Sequence, residues 1–300
     1  MGARSRFEFR REGSWNLLVS PESWSQDLWE EVLSQIKRIA PSGHPQTTRF
    51  RLDQVVSAEE YYLKVYHDLD LWTGLKDALR DSKALRALKQ GEALRCRGFD
   101  VPLAVAAGEK RQFGWLQKAF LLTRAVKALP LPDFLREQAC MPARVIGMRI
   151  KRERVKKLAL EVRRLHQDGF VHGDLIPSNI MVQTDAGRFI FYIIDHDRTR
   201  RYPRWVPHQL WKRNLVQLNR MVLPGISLQD RMWFLKCYLG KKSWEKRDRR
   251  LIRWLEWKTR KRRQECERIQ AQVSFRELMR WNGPFSGSAP QKDNRLIQWH

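Results

Sequence analysis

Hydrophobic positions recur with clear periods along this chain, and the dominant period changes partway. Residues 7–10 and 15–19 read as short strands on either side of the turn Glu12-Gly13-Ser14. Between 27 and 39, Leu28, Val32, Leu33, Ile36 and Ile39 repeat at the spacing of one helix face, and Pro41-Ser42-Gly43 ends the run. Strands are predicted at 47–52 and 60–66. A helix follows over 76–95, with Leu79, Leu85, Leu88 and Leu94 on related faces and Gly98 closing it. Another strand is expected at 101–107, and a pair of strands around 113–122.

From residue 125 the texture becomes mainly helical, with Pro130, Pro132 and Pro142 marking a loop-rich junction. The clearest helix spans 154–166, where Val155, Leu158, Ala159, Val162 and Leu165 form one stripe and Gly169 lies just past the end. A short apolar strand at 170 then breaks into His172-Gly173-Asp174 and resumes as Ile180-Met181-Val182. A continuous apolar strand, RFIFYII, runs over 188–194. After Pro207 the pattern is helical again, around 210–221, 232–239 and 251–257. No internal repeat is present. The pattern predicts an α+β chain with a mixed first part (1–124) and a mainly helical second part (125–300).

Composition narrows the class. A 42% hydrophobic share over 300 residues can build a substantial core. No stretch approaches the roughly 18 apolar residues of a membrane-spanning helix. The opening MGARSRFEFR has no apolar signal region, and Arg6 occupies the position where myristoylation needs Ser or Thr. Cys96, Cys140, Cys237 and Cys266 are scattered, which argues against a zinc site or disulfide framework and fits a reducing compartment. A soluble cytoplasmic protein is expected. The net charge of +25 changes the picture more, because it favours polyanionic partners. Charge alone would permit a nucleic-acid-binding scaffold, but no zinc finger or RNA-recognition signature accompanies it, so no specific nucleic acid is expected.

The broken strand carries chemistry. Phosphoryl transfer needs a carboxylate at the acceptor hydroxyl, groups that hold magnesium, and a cation on the nucleotide phosphates. The kinase pattern supplies these as a loop Asp, an Asn five residues later, and an Asp after the next strand. Here they are Asp174, Asn179 and Asp195, in VHGDLIPSNIMV and IIDHDR. Lys64 lies upstream in the alternating strand YYLKVY, where the phosphate-binding lysine belongs.

These segments, together with RALKQGEALRCRGFDVP and LLTRAV, resemble the lipopolysaccharide core kinases, the Kdo and heptose kinase group of the protein-kinase-like superfamily. The resemblance spans about 47–239. It implies a bilobal kinase-like fold: a small mixed β-sheet lobe that binds ATP, and a larger helical lobe. It also implies ATP and Mg2+ as cofactors and an anionic glycolipid acceptor, the lipopolysaccharide core or lipid A, reached on the cytoplasmic face of the inner membrane. Carried onto this chain, Asp174 receives the acceptor proton, Lys64 binds the nucleotide phosphates, and Asn179 and Asp195 hold the metal. His172 then supports the loop. Aminoglycoside- or choline-type kinases and RIO-like protein kinases use a similar loop, so they remain alternative readings, as does a basic pseudokinase scaffold.

Several departures from the kinase pattern are legible. No glycine-rich loop precedes Lys64; only Ser42-Gly43-His44 stands in its place. The helix that carries the lysine's glutamate partner in protein kinases has Gln90 at the aligned position. Glu92 is then the nearest carboxylate for Lys64, although two residues turn a helix by about 200°. Asp197 stands where the kinase pattern has glycine. Gly173 replaces an arginine that reads a phosphorylated activation loop, and no A-P-E follows, which together point to a non-protein acceptor. Arg198, Arg200, Arg201 and Arg204 come directly after the metal aspartate, and their guanidinium forks suit carboxylates and phosphates. The stretch over 241–263 interleaves Trp244, Leu251, Trp254, Leu255 and Trp257 with many Lys and Arg. It is expected either to lie on an anionic membrane surface or to pack its apolar stripe on the helical lobe.

Overall fold

The computed structural model describes residues 6–40, 45–53, 58–67, 80–140, 147–185, 188–203 and 209–281. The Ser42-Gly43-His44 segment, the first residues of the helix expected at 76–95, and Arg204 fall outside them. The first part is a six-stranded antiparallel sheet in the order β1-β2-β5-β6-β4-β3. Its strands are β1 (Glu8–Glu12), β2 (Trp15–Val19), β3 (Gln46–Asp53), β4 (Ala58–His67), β5 (Ala104–Gln112) and β6 (Trp115–Arg124). The pair of strands expected around 113–122 is a single strand, β6. Its partner is β5, and Phe113-Gly114, both at positive φ, makes the two-residue turn between them. Left-handed dihedrals at both central residues give the tight turn whose twist suits a hairpin.

Helix α1 (Gln26–Arg38) begins at Ser25, whose hydroxyl accepts from the Leu28 amide. It buries Leu28, Trp29, Val32 and Ile36 against Trp15, Leu17, Leu63 and Phe120 of the sheet. Helix α2 (Lys83–Arg95) packs elsewhere, with Ala84 and Leu88 beside Tyr66, Leu116 and Ala119. Its last turn belongs to a different cluster: Leu94, with Phe99 and Val101, joins the main core of the helical part. Helix α2 therefore rests on both parts of the molecule.

The helical part follows with β7 (Leu129–Pro130), α3 (Leu131–Cys140) and α4 (Met148–Gln167). Next come β8 (Phe170–Val171), β9 (Ile180–Asp185), β10 (Arg188–Ile193) and β11 (Arg200–Arg201). Strands β10-β9-β7 form one small sheet, and β8 pairs with β11. Helices α5 (Gln209–Asn219), α6 (Leu228–Leu239) and α7 (Lys246–Trp281) are the last elements among the described residues. The basic, Trp-rich segment lies at the start of α7, and the stripe is used for packing. Leu255 is buried in the main core, and Trp244, Leu251, Ile252 and Trp254 pack against it. Trp257 stays 55% exposed on the outer side. Among the described residues, no helix is long and apolar enough to cross a membrane.

Candidate active site

The site forms where the β9/β10 hairpin delivers two loops side by side, beneath the sheet strand that carries Lys64. The apolar alternation of Ile180 and Val182, both buried, pins β9 into the core and fixes the loop before it. That loop closes on itself: the Ile176 amide donates to the Asp174 carbonyl (2.9 Å), and so does the Asn179 side-chain amide (2.9 Å). A short 3-10 turn, Pro177–Asn179, completes the approach to β9. The Ile194 amide donates to the Asn179 carbonyl (3.0 Å), so Asn179 and Asp195 are brought to neighbouring positions.

Gly173 has a packing reason. Its φ is +79°, a conformation that costs an L side chain roughly 1–2 kcal/mol. A Cβ there would lie 2.6 Å from the Arg198 carbonyl oxygen and 2.9 Å from the Arg198 Cβ. The loop runs against the turn His196–Arg198 with no room for a side chain. Backbone contact with Arg198 thus gives this glycine a structural reason beside the one read from the sequence.

His172 is fully buried and braces both loops. Its amide donates to Asn214 Oδ1 (3.1 Å), and its ring Nε2 donates to the Ile194 carbonyl (2.9 Å). Burial holds its pKa below the ordinary histidine value. His196 is its counterpart across 5.4 Å, donating from Nε2 to the Ile193 carbonyl (3.0 Å). Burial first, then the neighbouring His172, lowers its pKa to about 3. Two neutral imidazoles thus stitch the end of β10 to the catalytic loop.

Lys64, 131 positions earlier in the chain, meets Asp195 at 2.6 Å and Asp197 at 3.8 Å. Asp195 takes φ +67° and ψ +64°, turning the chain into the 3-10 segment His196–Arg198. Burial raises its carboxyl pKa, but the charge and the hydrogen bond of Lys64 outweigh this and leave it lowered. Asp197 goes the other way, raised by burial and by the negative charge of Asp195. The pairing of Glu92 with Lys64 is not the one the chain makes. Glu92 binds Arg95 (2.6 and 3.0 Å) and lies 3.6 Å from Arg6, as expected from its rotation on α2.

Arg200 and Arg201, both exposed, lie on β11 opposite Val171 and Phe170, the strand that enters the catalytic loop. Arg201 sits over the Phe170 ring at 5.6 Å, and Arg198 is exposed beside Gly173. The sequence reading missed three further residues. Asn214 and Gln217 on α5 hold the loop around Asp174 by its backbone. Asn214 accepts from the His172 amide, while Gln217 accepts from the Leu175 amide (3.2 Å) and donates to the Gly173 carbonyl (2.8 Å). Their signal was available: two amides three residues apart in an otherwise apolar helix stripe with Leu215 and Leu218. The third is Arg262 on α7. Its hydrogen bond to Glu265 raises its pKa, and Asp174 adds to the rise, so α7 brings positive charge within electrostatic reach of the catalytic loop.

A two-lobed molecule with a sheet-borne lysine over a carboxylate-bearing hairpin is a protein-kinase-like phosphotransferase. The family model for the lipopolysaccharide kinase (Kdo/WaaP) family matches residues 37–238, and the chain belongs to that family. Among solved structures, WaaP in complex with acyl carrier protein superposes with a TM-score of 0.58. Its identity is 20%, over 82% of this chain and 98% of that one. The PknI kinase domain of Mycobacterium tuberculosis overlaps at a TM-score of 0.35 and 13% identity, over 82% and 79%. No match was found among curated proteins.

Proposed function

We propose that this kinase transfers the terminal phosphate of ATP to a Kdo or heptose hydroxyl of the lipopolysaccharide inner core. The observation that carries the reading is the meeting of Lys64 with Asp195 beside a loop in which the Asn179 side chain binds the Asp174 backbone. In this reading Asp174 orients the acceptor hydroxyl and takes its proton as the bond to phosphorus forms. Lys64 leaves Asp195 to neutralise the nucleotide phosphates. Asn179 and Asp195 offer an amide and a carboxylate oxygen, hard donors that fit Mg2+ held jointly with substrate phosphates. When bound, that ion neutralises charge on the transferring group. Arg198, Arg200 and Arg201 then face the acceptor's carboxylate or phosphate groups. The acceptor is amphiphilic and anionic, and a chain of net charge +25 suits work at the cytoplasmic membrane surface.

The test is ATP consumption with Kdo-lipid A, heptosylated core, an aminoglycoside and a generic protein as acceptors. One glycan should be phosphorylated, and Asp174→Asn should lower kcat by about 10²–10⁴-fold. Turnover with protein alone would overturn the acceptor assignment. Flotation with anionic vesicles tests the membrane location, and no binding at moderate salt would remove it.

A further inference from the structure

In protein kinases a helix glutamate holds the phosphate-binding lysine in place, and among the described residues no such pair forms. Gln90 carries no charge, and Glu92 is engaged by Arg95 and Arg6. Lys64 needs another anchor, because Asp195, its nearer partner, is the carboxylate assigned to the metal. We propose that Asp197 is the positioning residue for Lys64, taking over the work of the missing helix glutamate. The inference rests on the site reading given above.

Three observations support it. Asp197 is the second carboxylate within ion-pair distance of Lys64, at 3.8 Å, and the side chains are only 12% and 20% exposed. At that burial an ion pair is screened far less than on the surface. The turn that carries Asp197 is held firmly, with the Thr199 amide donating to the His196 carbonyl (3.1 Å) and the His196 ring fixed to Ile193. Helix α2 also touches this turn directly: a Cβ built on Gly91 would lie 3.6 Å from His196 Cδ2. The helix therefore supports the lysine through packing on the turn, while the charge itself has moved from the helix to the turn. When ATP and metal occupy Asp195 and the lysine tip, Asp197 keeps Lys64 extended over the phosphates. This also explains why aspartate stands where the kinase pattern has glycine.

The experiment is a double-mutant cycle on ATP affinity, measured by calorimetry on the full chain with magnesium. Asp197→Asn should weaken ATP binding about tenfold while leaving the acceptor KM unchanged. Asp197→Glu, which retains the charge, should recover most of the loss. Lys64→Ala should weaken binding as much or more, and Lys64→Ala/Asp197→Asn should match Lys64→Ala alone, because the aspartate acts through the lysine. Additive losses, an unaffected Asp197→Asn, or equal loss in the Asn and Glu variants would overturn the proposal. Failure of the wild type to bind ATP would refute the site reading itself, a separate outcome.

Discussion

At the scale of single residues, the site depends on places where no other side chain fits. Gly173 combines a left-handed backbone with the Arg198 backbone at a distance no Cβ tolerates. Gly173→Ala is expected to lower stability by about 1–2 kcal/mol or more from conformation alone, and to displace Asp174 so that kcat falls further than the loss of folded protein explains. Gly173→Arg, which restores the residue of protein kinases, should be inactive. Thermal melts together with kcat per folded molecule check this; an active Gly173→Arg enzyme would contradict the packing account. The order His172, Asp174, Asn179, Asp195 could be read from the sequence because those residues share two short loops with fixed spacing. The ion pairs of Lys64 could not, since spacing along a helix says nothing about the distant carboxylates of Asp195 and Asp197 that a turn brings round.

At the scale of elements, periodicity placed strands and helices where local sequence pattern and burial agree: Trp15–Val19 with alternate burial, and the stripe of Ala159, Val162 and Leu165. It failed where a tertiary partner decides. The hairpin β5/β6 was displaced because the turn falls at Phe113-Gly114, and Phe113, exposed at the tip, looked like part of a strand. The apolar stripe of α7 fitted either a membrane or a core, and only the position of the helix against α5 selects the core. Two loops at the site are joined by His172 and His196, and this junction carries a pH signature. The folded-state pKa of His196 is about 3, against an ordinary 6.5, so between those values the unfolded chain binds the extra proton. The contribution of His196 is complete above pH 6.5 and falls as the solution is acidified toward 3, by up to about 1.4 kcal/mol per pH unit. His196→Gln, which can keep the bond to Ile193, should flatten the melting-temperature profile between pH 7 and 4.5. A variant profile parallel to that of the wild type would show that His196 is not buried neutral.

At the scale of the whole molecule, 58 basic against 33 acidic residues leave a net charge of +25, and the two substrates meet it differently. Lys64, the cation assigned to ATP, is 20% exposed and is shielded little by salt. Arg200 and Arg201 are exposed on the strand paired with Phe170-Val171, the entry to the Asp174 loop. Salt shortens the reach of such surface charge from about 10 Å at 0.1 M to about 3 Å at 1 M. The KM for an anionic glycolipid should therefore climb about tenfold or more across that range, as electrostatically guided encounters do. The ATP KM should rise less and kcat should hold. Arg200→Ser/Arg201→Ser should raise the acceptor KM at low salt and flatten its salt dependence, with the ATP KM unaffected. Equal salt slopes for both substrates, or a variant slope like that of the wild type, would mean that these arginines do not face the acceptor. The basic surface would then have to act elsewhere than at the catalytic loop.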